Sequence, residues 1–309
     1  MIYSLYPVFK DYLWGGTRLR EEYGKKSDLA KVAESWELSC HKDGVSSIGL
    51  AGMDASKPVP LTEFIRIRGK AEVLGTRPAA FPNFPVMIKL IDAKDNLSVQ
   101  VHPDDRYAMR EEGSVGKTEM WYIVDCEPGA FLYYGFDHAI SKEEFARRIQ
   151  DNTLTEVLNA APVHKGDVFF IPSGTLHAIC AGIVIAEIQQ NSNVTYRVYD
   201  YGRVGADGKP RALHIDQALA VTDCNPPQKQ DFGPHLGQCK YFTVDLHEGD
   251  FAEDADARSF VSLLVVDGAG TVTAGGETLA VKKGDSLFIP AGTGAIAVAG
   301  SLTTLATRV

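Results

Sequence analysis

The stretch GDVFFIPSGTLHAI, residues 166 to 179, returns as GDSLFIPAGTGAIA at residues 284 to 297, 118 positions later. Self-similarity of this kind means that two parts of the chain fold alike, which constrains the architecture more than any single segment does. A second match lies upstream of each copy: EMWYIVD, from Glu119 to Asp125, resembles VSLLVVD, from Val261 to Asp267, at an offset of 142. The offsets differ by 24 residues, close to the length of a segment of different character in the first copy. Between Ser141 and Ala160 the pairs Ser141/Glu144 and Thr153/Glu156 read as capping boxes, and Phe145/Ile149 and Leu154/Leu158 keep helical spacing. The segment is read as two short helices inserted in a β chain.

Strands are expected at residues 84–91, 119–124, 130–134, 168–171, 177–180, 184–189 and 195–199, from short apolar or alternating runs bounded by turn residues. Short helices are expected after Thr62, ending near Gly69, and from His214 to Val221. The run GRVGADGKP (202–210) reads as a surface loop, and NPPQKQDFG (225–233) as a linker. The chain is thus mainly β, with two related lobes at residues 1–232 and 233–309 and a small helical insertion near 141–160 in the first.

The segment LSVQVHPDD (97–105) places Gln100 and His102 two positions apart on an otherwise apolar strand. With a period of two, Val99 and Val101 face one way and Gln100 and His102 the other. The repeat offers a control. At offset 118, His177 is matched by Ala295, and at offset 142, Glu119 by Val261; extending the latter pairs Gln100 with Phe242 and His102 with Val244. One lobe keeps two imidazoles, a carboxylate and an amide where the other has apolar or small residues. Such a set suits Zn²⁺ or a similar divalent ion with a position left for water or substrate, and ligand type leaves iron open. The alternative is four separately hydrogen-bonded polar residues. Asp104 and Asp105 are read as turn residues after Pro103, and the six other histidines as surface or loop residues.

With 31 basic against 40 acidic residues, a formal charge of −9 argues against a nucleic-acid surface. Five scattered cysteines without CxxC pairs read as reduced thiols, and no apolar run reaches the roughly 18 residues of a membrane span, so a cytoplasmic protein is expected. Oligomeric state is not legible.

QVHPDD, GKTEMWY, FIPSGTLHAI and EIQQNSNVTYRVYDYGR, with Trp14-Gly15-Gly16 and AESWELS (33–39), resemble motifs of the type I mannose-6-phosphate isomerases, in their short bacterial form. The resemblance spans most of the chain and implies two cupin-like, jelly-roll lobes. It also implies one Zn²⁺ held by Gln100, His102, Glu119 and His177, and interconversion of mannose 6-phosphate and fructose 6-phosphate through an enediol. Lys117, two before Glu119, and Arg197, in TYRVYD, match active-site residues of that family, and Glu187 matches a residue considered for proton transfer. An exposed lysine, a structural ion pair at Arg197 and a Glu187 that merely orients Arg197 are the plainer readings. A sugar-phosphate-binding cupin without catalysis, or another cupin enzyme such as a glucose-6-phosphate isomerase, is the alternative to the isomerase.

Overall fold

The computed structural model describes residues 1–50, 58–204 and 208–309; residues 205–207, in the middle of the expected Gly-rich loop, lie outside them. Strands outweigh helices, 42 % to 16 %, so the chain is mainly β. By packing it divides into two compact units, one of residues 1–10, 17–90 and 232–309, the other of 11–16 and 91–231. The last of these divisions falls inside the expected 225–233 linker; the earlier ones leave no mark in the repeat.

In the unit containing 232–309, the long strands Val261–Ala274 and Gly294–Arg308 run antiparallel over most of their length. Ser286–Ile289 pairs with the first of them, and the N-terminal strand Tyr3–Tyr6 adds beside Ser286–Ile289. Inward Val261, Leu263, Val265, Leu287, Ile289, Ile296 and Val298 form its core, which Ile2 joins from the N-terminus. Gly284 closes this packing because a Cβ there would sit 2.1 Å from the Tyr23 carbonyl oxygen, and its φ is +91°. Its own carbonyl accepts from the buried Lys25 Nζ at 2.5 Å. Gly284→Ala is therefore expected to cost more than about 2 kcal/mol, strain plus a backbone clash. Gly276, at φ +81° with nothing within 4 Å of a Cβ, is the control. Gly276→Ala should cost only about 1 kcal/mol, and urea denaturation of the two variants would show the difference.

In the other unit, Glu119–Cys126 lies between Val168–Ile171 and Ile183–Gln190. A five-stranded sheet runs in the order Leu158–Pro162, Phe131–Phe136, His177–Ile179, Val99–Val101, Tyr196–Tyr199. One face of that sheet presents Val99, Val101, Ala178, Tyr196 and Val198 to Phe145, Leu154, Val157 and Ala218 of the helical segments. This apolar layer turns Gln100 and His177 to the opposite face, as period-two alternation requires.

The helical insertion is one helix, Lys142–Gln150, and a single 3₁₀ turn, Leu154–Val157. Ser141 caps the helix by accepting from the Glu144 backbone N–H at 3.1 Å. The Thr153/Glu156 box does not form: Glu156 accepts from Arg148 instead, at 2.9 Å. The helix expected after Thr62 runs Leu61–Arg68 and stops at Gly69, φ +97°. Asp104 and Asp105 do more than turn the chain, for a helix Asp105–Glu112 follows and Asp104 caps it by accepting from the Tyr107 N–H at 2.7 Å. No helix among the described residues is long and apolar enough to cross a membrane.

The repeat is real in register. Glu119 pairs with Ile171 as Val261 pairs with Ile289, which reproduces both offsets. Beyond that point the correspondence slips by one, since Met120 pairs with Ile188 but Ser262 with Thr307. The extra residue falls at the turn where Gly294 adopts φ +83°. Ala295 is consequently exposed, and Ile296, fully buried, holds the inward place of His177. The pairing of Gln100 with Phe242 and His102 with Val244 also fails. Gln100 stands opposite His177, and the residue opposite Ile296 is Glu253, with Ala255 two further on in the place of His102.

Candidate metal centre and active site

Three buried side chains converge inside the unit of residues 91–231. His102 and His177 are each 1 % exposed and Glu119 is fully buried, and their ligand atoms all lie within 4.8 Å of one another. His102 Nδ1 contacts the Val194 carbonyl oxygen and His177 Nδ1 the Thr175 carbonyl oxygen, both at 2.8 Å. A carbonyl only accepts, so each Nδ1 carries the proton and each Nε2 is left with its lone pair. Those lone pairs point at the Glu119 carboxylate, from 3.6 Å for His102 and 3.3 Å for His177. Burial pushes the His177 imidazole down to about 4, against the smaller upward effect of its bond to Thr175, so it is neutral at physiological pH. His177 Nε2 is buried without a hydrogen-bond partner while it faces the Glu119 carboxylate, and acceptors turned toward one another in this way are reconciled by a cation. The donor set fits a divalent metal.

Lys117, 4 % exposed, donates to Glu119 Oε2 at 2.6 Å, contacts His102 Nε2 at 3.1 Å and lies 3.9 Å from Glu187 Oε1. It is therefore not an exposed edge lysine. Its loop is held in place by neighbours. A Cβ on Gly116 would come within 2.6 Å of the Asp104 and Asp105 backbone, so only glycine lets the loop pass. Asp105 Oδ1 accepts from the Gly116 N–H and from Gln190 Nε2, while Gln190 Oε1 accepts from the Thr118 N–H. Glu187, 3 % exposed and paired across strands with Trp121, accepts from its indole Nε1 at 3.0 Å.

Gln100 lies opposite His177 on one side and Arg197 on the other. Its Oε1 accepts from Ser98 Oγ at 3.4 Å, and Ser98 Oγ accepts in turn from Arg197 Nε at 3.1 Å. Arg197 also donates through Nη1 to the Ala212 carbonyl, and burial holds its guanidinium below its ordinary value. Among the described residues it makes no ion pair, which removes the plain reading of a structural salt bridge. Trp121, which the sequence suggests as a strand-packing residue or a pocket wall, serves as a hydrogen-bond donor to Glu187. Ser98 and the Asp105–Gln190 clamp escaped the sequence reading. Only Ser98 carried a signal: it shares its strand face with Gln100 and His102.

A β scaffold with a buried His/Glu/His cluster, a buried lysine against it and an arginine on the strand beyond Gln100 defines a cupin enzyme with a candidate metal centre. Residues 235–309 match the family described as mannose-6-phosphate isomerase, cupin domain, and residues 2–122 match phosphomannose isomerase type I, catalytic domain. The mannose-6-phosphate isomerase of Streptococcus mutans is 38 % identical, over 90 % of this chain and 89 % of its own. The isomerase ManA of Bacillus subtilis is 36 % identical, over 95 % and 94 %. The crystal structure of the mannose 6-phosphate isomerase from Bacillus subtilis superposes with a TM-score of 0.88 at 33 % identity, covering 100 % of this chain and 99 % of that one. The chain belongs to the mannose-6-phosphate isomerase family of enzymes.

Proposed function

We propose that this chain interconverts mannose 6-phosphate and fructose 6-phosphate by a metal-dependent route through an enediol. The observation that carries the reading is the convergence of two proton-free Nε2 atoms and a buried carboxylate, with Lys117 and Glu187 directly beside them. His102, Glu119, His177 and Gln100 would hold the ion, which we take to be a single Zn²⁺ per chain. Bound there, it supplies Lewis-acid polarisation of the sugar oxygens.

The remaining work falls to the chain's own groups. The reaction removes a proton from C2 of the aldose phosphate and returns one to C1, while a hydroxyl proton passes between O2 and O1. Lys117 and Glu187 are the buried pair that exchanges these protons, and Trp121 fixes the Glu187 carboxylate. Arg197, anchored through Nε and Nη1, keeps its Nη2 donors for an anionic oxygen of the substrate. We assign catalysis to the lobe of residues 1–232 and a cupin role without metal ligands to 233–309, in a cytoplasmic enzyme of sugar phosphate metabolism.

Turnover of mannose 6-phosphate, measured before chelation, after chelation and after Zn²⁺ is restored, tests the proposal. Activity should fall by more than about 100-fold with chelator and return with the metal. A metal-loaded protein that does not turn over mannose 6-phosphate would leave a binding cupin as the better reading.

A further inference from the structure

Lys117 and Thr118 precede Glu119, the first residue of their strand, so the place of the Lys117 backbone is decided by whatever holds the loop. The Val115 carbonyl accepts from Ser192 Oγ at 2.9 Å, the Gly116 N–H donates to Asp105 Oδ1 at 2.9 Å, and the Lys117 N–H donates to the Pro103 carbonyl at 3.0 Å. Thr118 is gripped twice by one residue: its N–H donates to Gln190 Oε1 at 2.8 Å and its carbonyl accepts from the Gln190 N–H at 3.0 Å. Gln190 also donates through Nε2 to Asp105 Oδ1 at 2.9 Å. A backbone N–H only donates and a carboxylate only accepts, so a single orientation of the amide satisfies both bonds. At 2 % exposure, water has little access to replace either of them.

Gln190 closes the strand Ile183–Gln190, which also carries Glu187. The turn after it is stiffened by two buried side chains. Gln189 Nε2 donates to the Gln190 and Ser192 carbonyls, both at 2.7 Å, and Ser192 Oγ accepts from the Val194 N–H at 3.3 Å. The Lys117 loop thus hangs on the strand of Glu187, and Lys117 Nζ comes to rest 3.9 Å from Glu187 Oε1. We propose that Gln190 is a positioning residue for the isomerase reaction: with Asp105 orienting its amide, it sets the separation of Lys117 and Glu187. The inference rests on the reading of those two groups as the proton-transfer pair. Gln190 acts through Lys117 and not on the substrate. A tie that served the fold alone would tolerate a small shift of the loop, whereas reacting groups displaced by about 1 Å lose on the order of 10²-fold in rate.

Gln190→Met nearly keeps the length and volume of the side chain and removes the amide, which tests this in the Zn²⁺-loaded full chain. Asp105→Ala removes the carboxylate that orients the amide and, at a half-buried position, carries the test if Gln190→Met does not fold. In either variant the amide hydrogens of residues 116–118 should exchange about tenfold or more faster than in the parent, while those of 120–123 in the adjoining ladder keep their protection. The kcat for mannose 6-phosphate should fall about 10–100-fold, with KM and metal content close to the parent's. Introduced beside Lys117→Met, Gln190→Met should lower kcat by no more than about twofold further, because its effect passes through the lysine. An equal loss in both backgrounds, unchanged exchange, or a parent-like kcat in Gln190→Met beside an impaired Lys117→Met overturns the inference alone. A parent-like Lys117→Met overturns the reading of Lys117 and the inference with it.

Discussion

A His102→Ala variant is expected to lose its metal and its isomerase activity together while remaining folded. The imidazole is fixed through Nδ1 by the Val194 carbonyl and presents Nε2 toward Glu119, so no neighbouring side chain can replace it as a ligand. Groups that merely support a ligand cost roughly 10–100-fold in affinity when removed, and removal of the ligand itself should exceed about 100-fold. Elemental analysis would then fall from about one divalent ion per chain to a trace. Folding should survive, because the repeat lobe already carries a fully buried alanine, Ala255, at the equivalent place. A stability loss below about 2 kcal/mol in thermal melting would agree with that comparison. A variant that kept metal and activity would remove His102 from the centre.

What was legible in the sequence was local and periodic. Alternation along LSVQVH separates Val99 and Val101 from Gln100 and His102 because a strand allows only two faces, and the structure buries the two valines in the helix-covered layer. Lys117 also reaches Glu119, but from the loop before the strand Glu119–Cys126, so its place is set by the contacts of the loop rather than by alternation. The comparison of the two copies was sound where strands run unbroken, as at Val261, and failed across loops. One additional residue at Gly294 turned Ala295 outward and Ile296 inward, since a single-residue slip exchanges the faces of a strand. The helix Asp105–Glu112 went unread because it buries only Ala108 and so carries almost no apolar stripe. The seat of Tyr3–Tyr6 beside Ser286–Ile289 is a pairing between the two ends of the chain, which no local pattern encodes.

Lys117→Met and Lys117→Ala should separate metal binding from catalysis. Lys117 lies beside a proposed ligand, Glu119, and a carboxylate outside that set, Glu187, so its removal has a structural and a chemical consequence that must be told apart. Breaking a buried ion pair by deleting one partner costs about 3–5 kcal/mol, which a bound divalent ion would reduce by taking over the charge of Glu119. Methionine nearly matches lysine in length and keeps the space filled, so Lys117→Met should melt closer to the parent than Lys117→Ala does. Both variants keep His102, Glu119 and His177 and should retain about one metal ion per chain. Their kcat should nevertheless fall by about 10²–10⁴-fold, the range expected for loss of a proton-transfer group, with KM changed much less. Equal activity losses in both variants despite unequal stability would place the defect in the chemistry. If instead Lys117→Met turned over as fast as the parent with its metal bound, Lys117 would be a structural counter-ion to Glu119, and Glu187 would be left to move the protons without it.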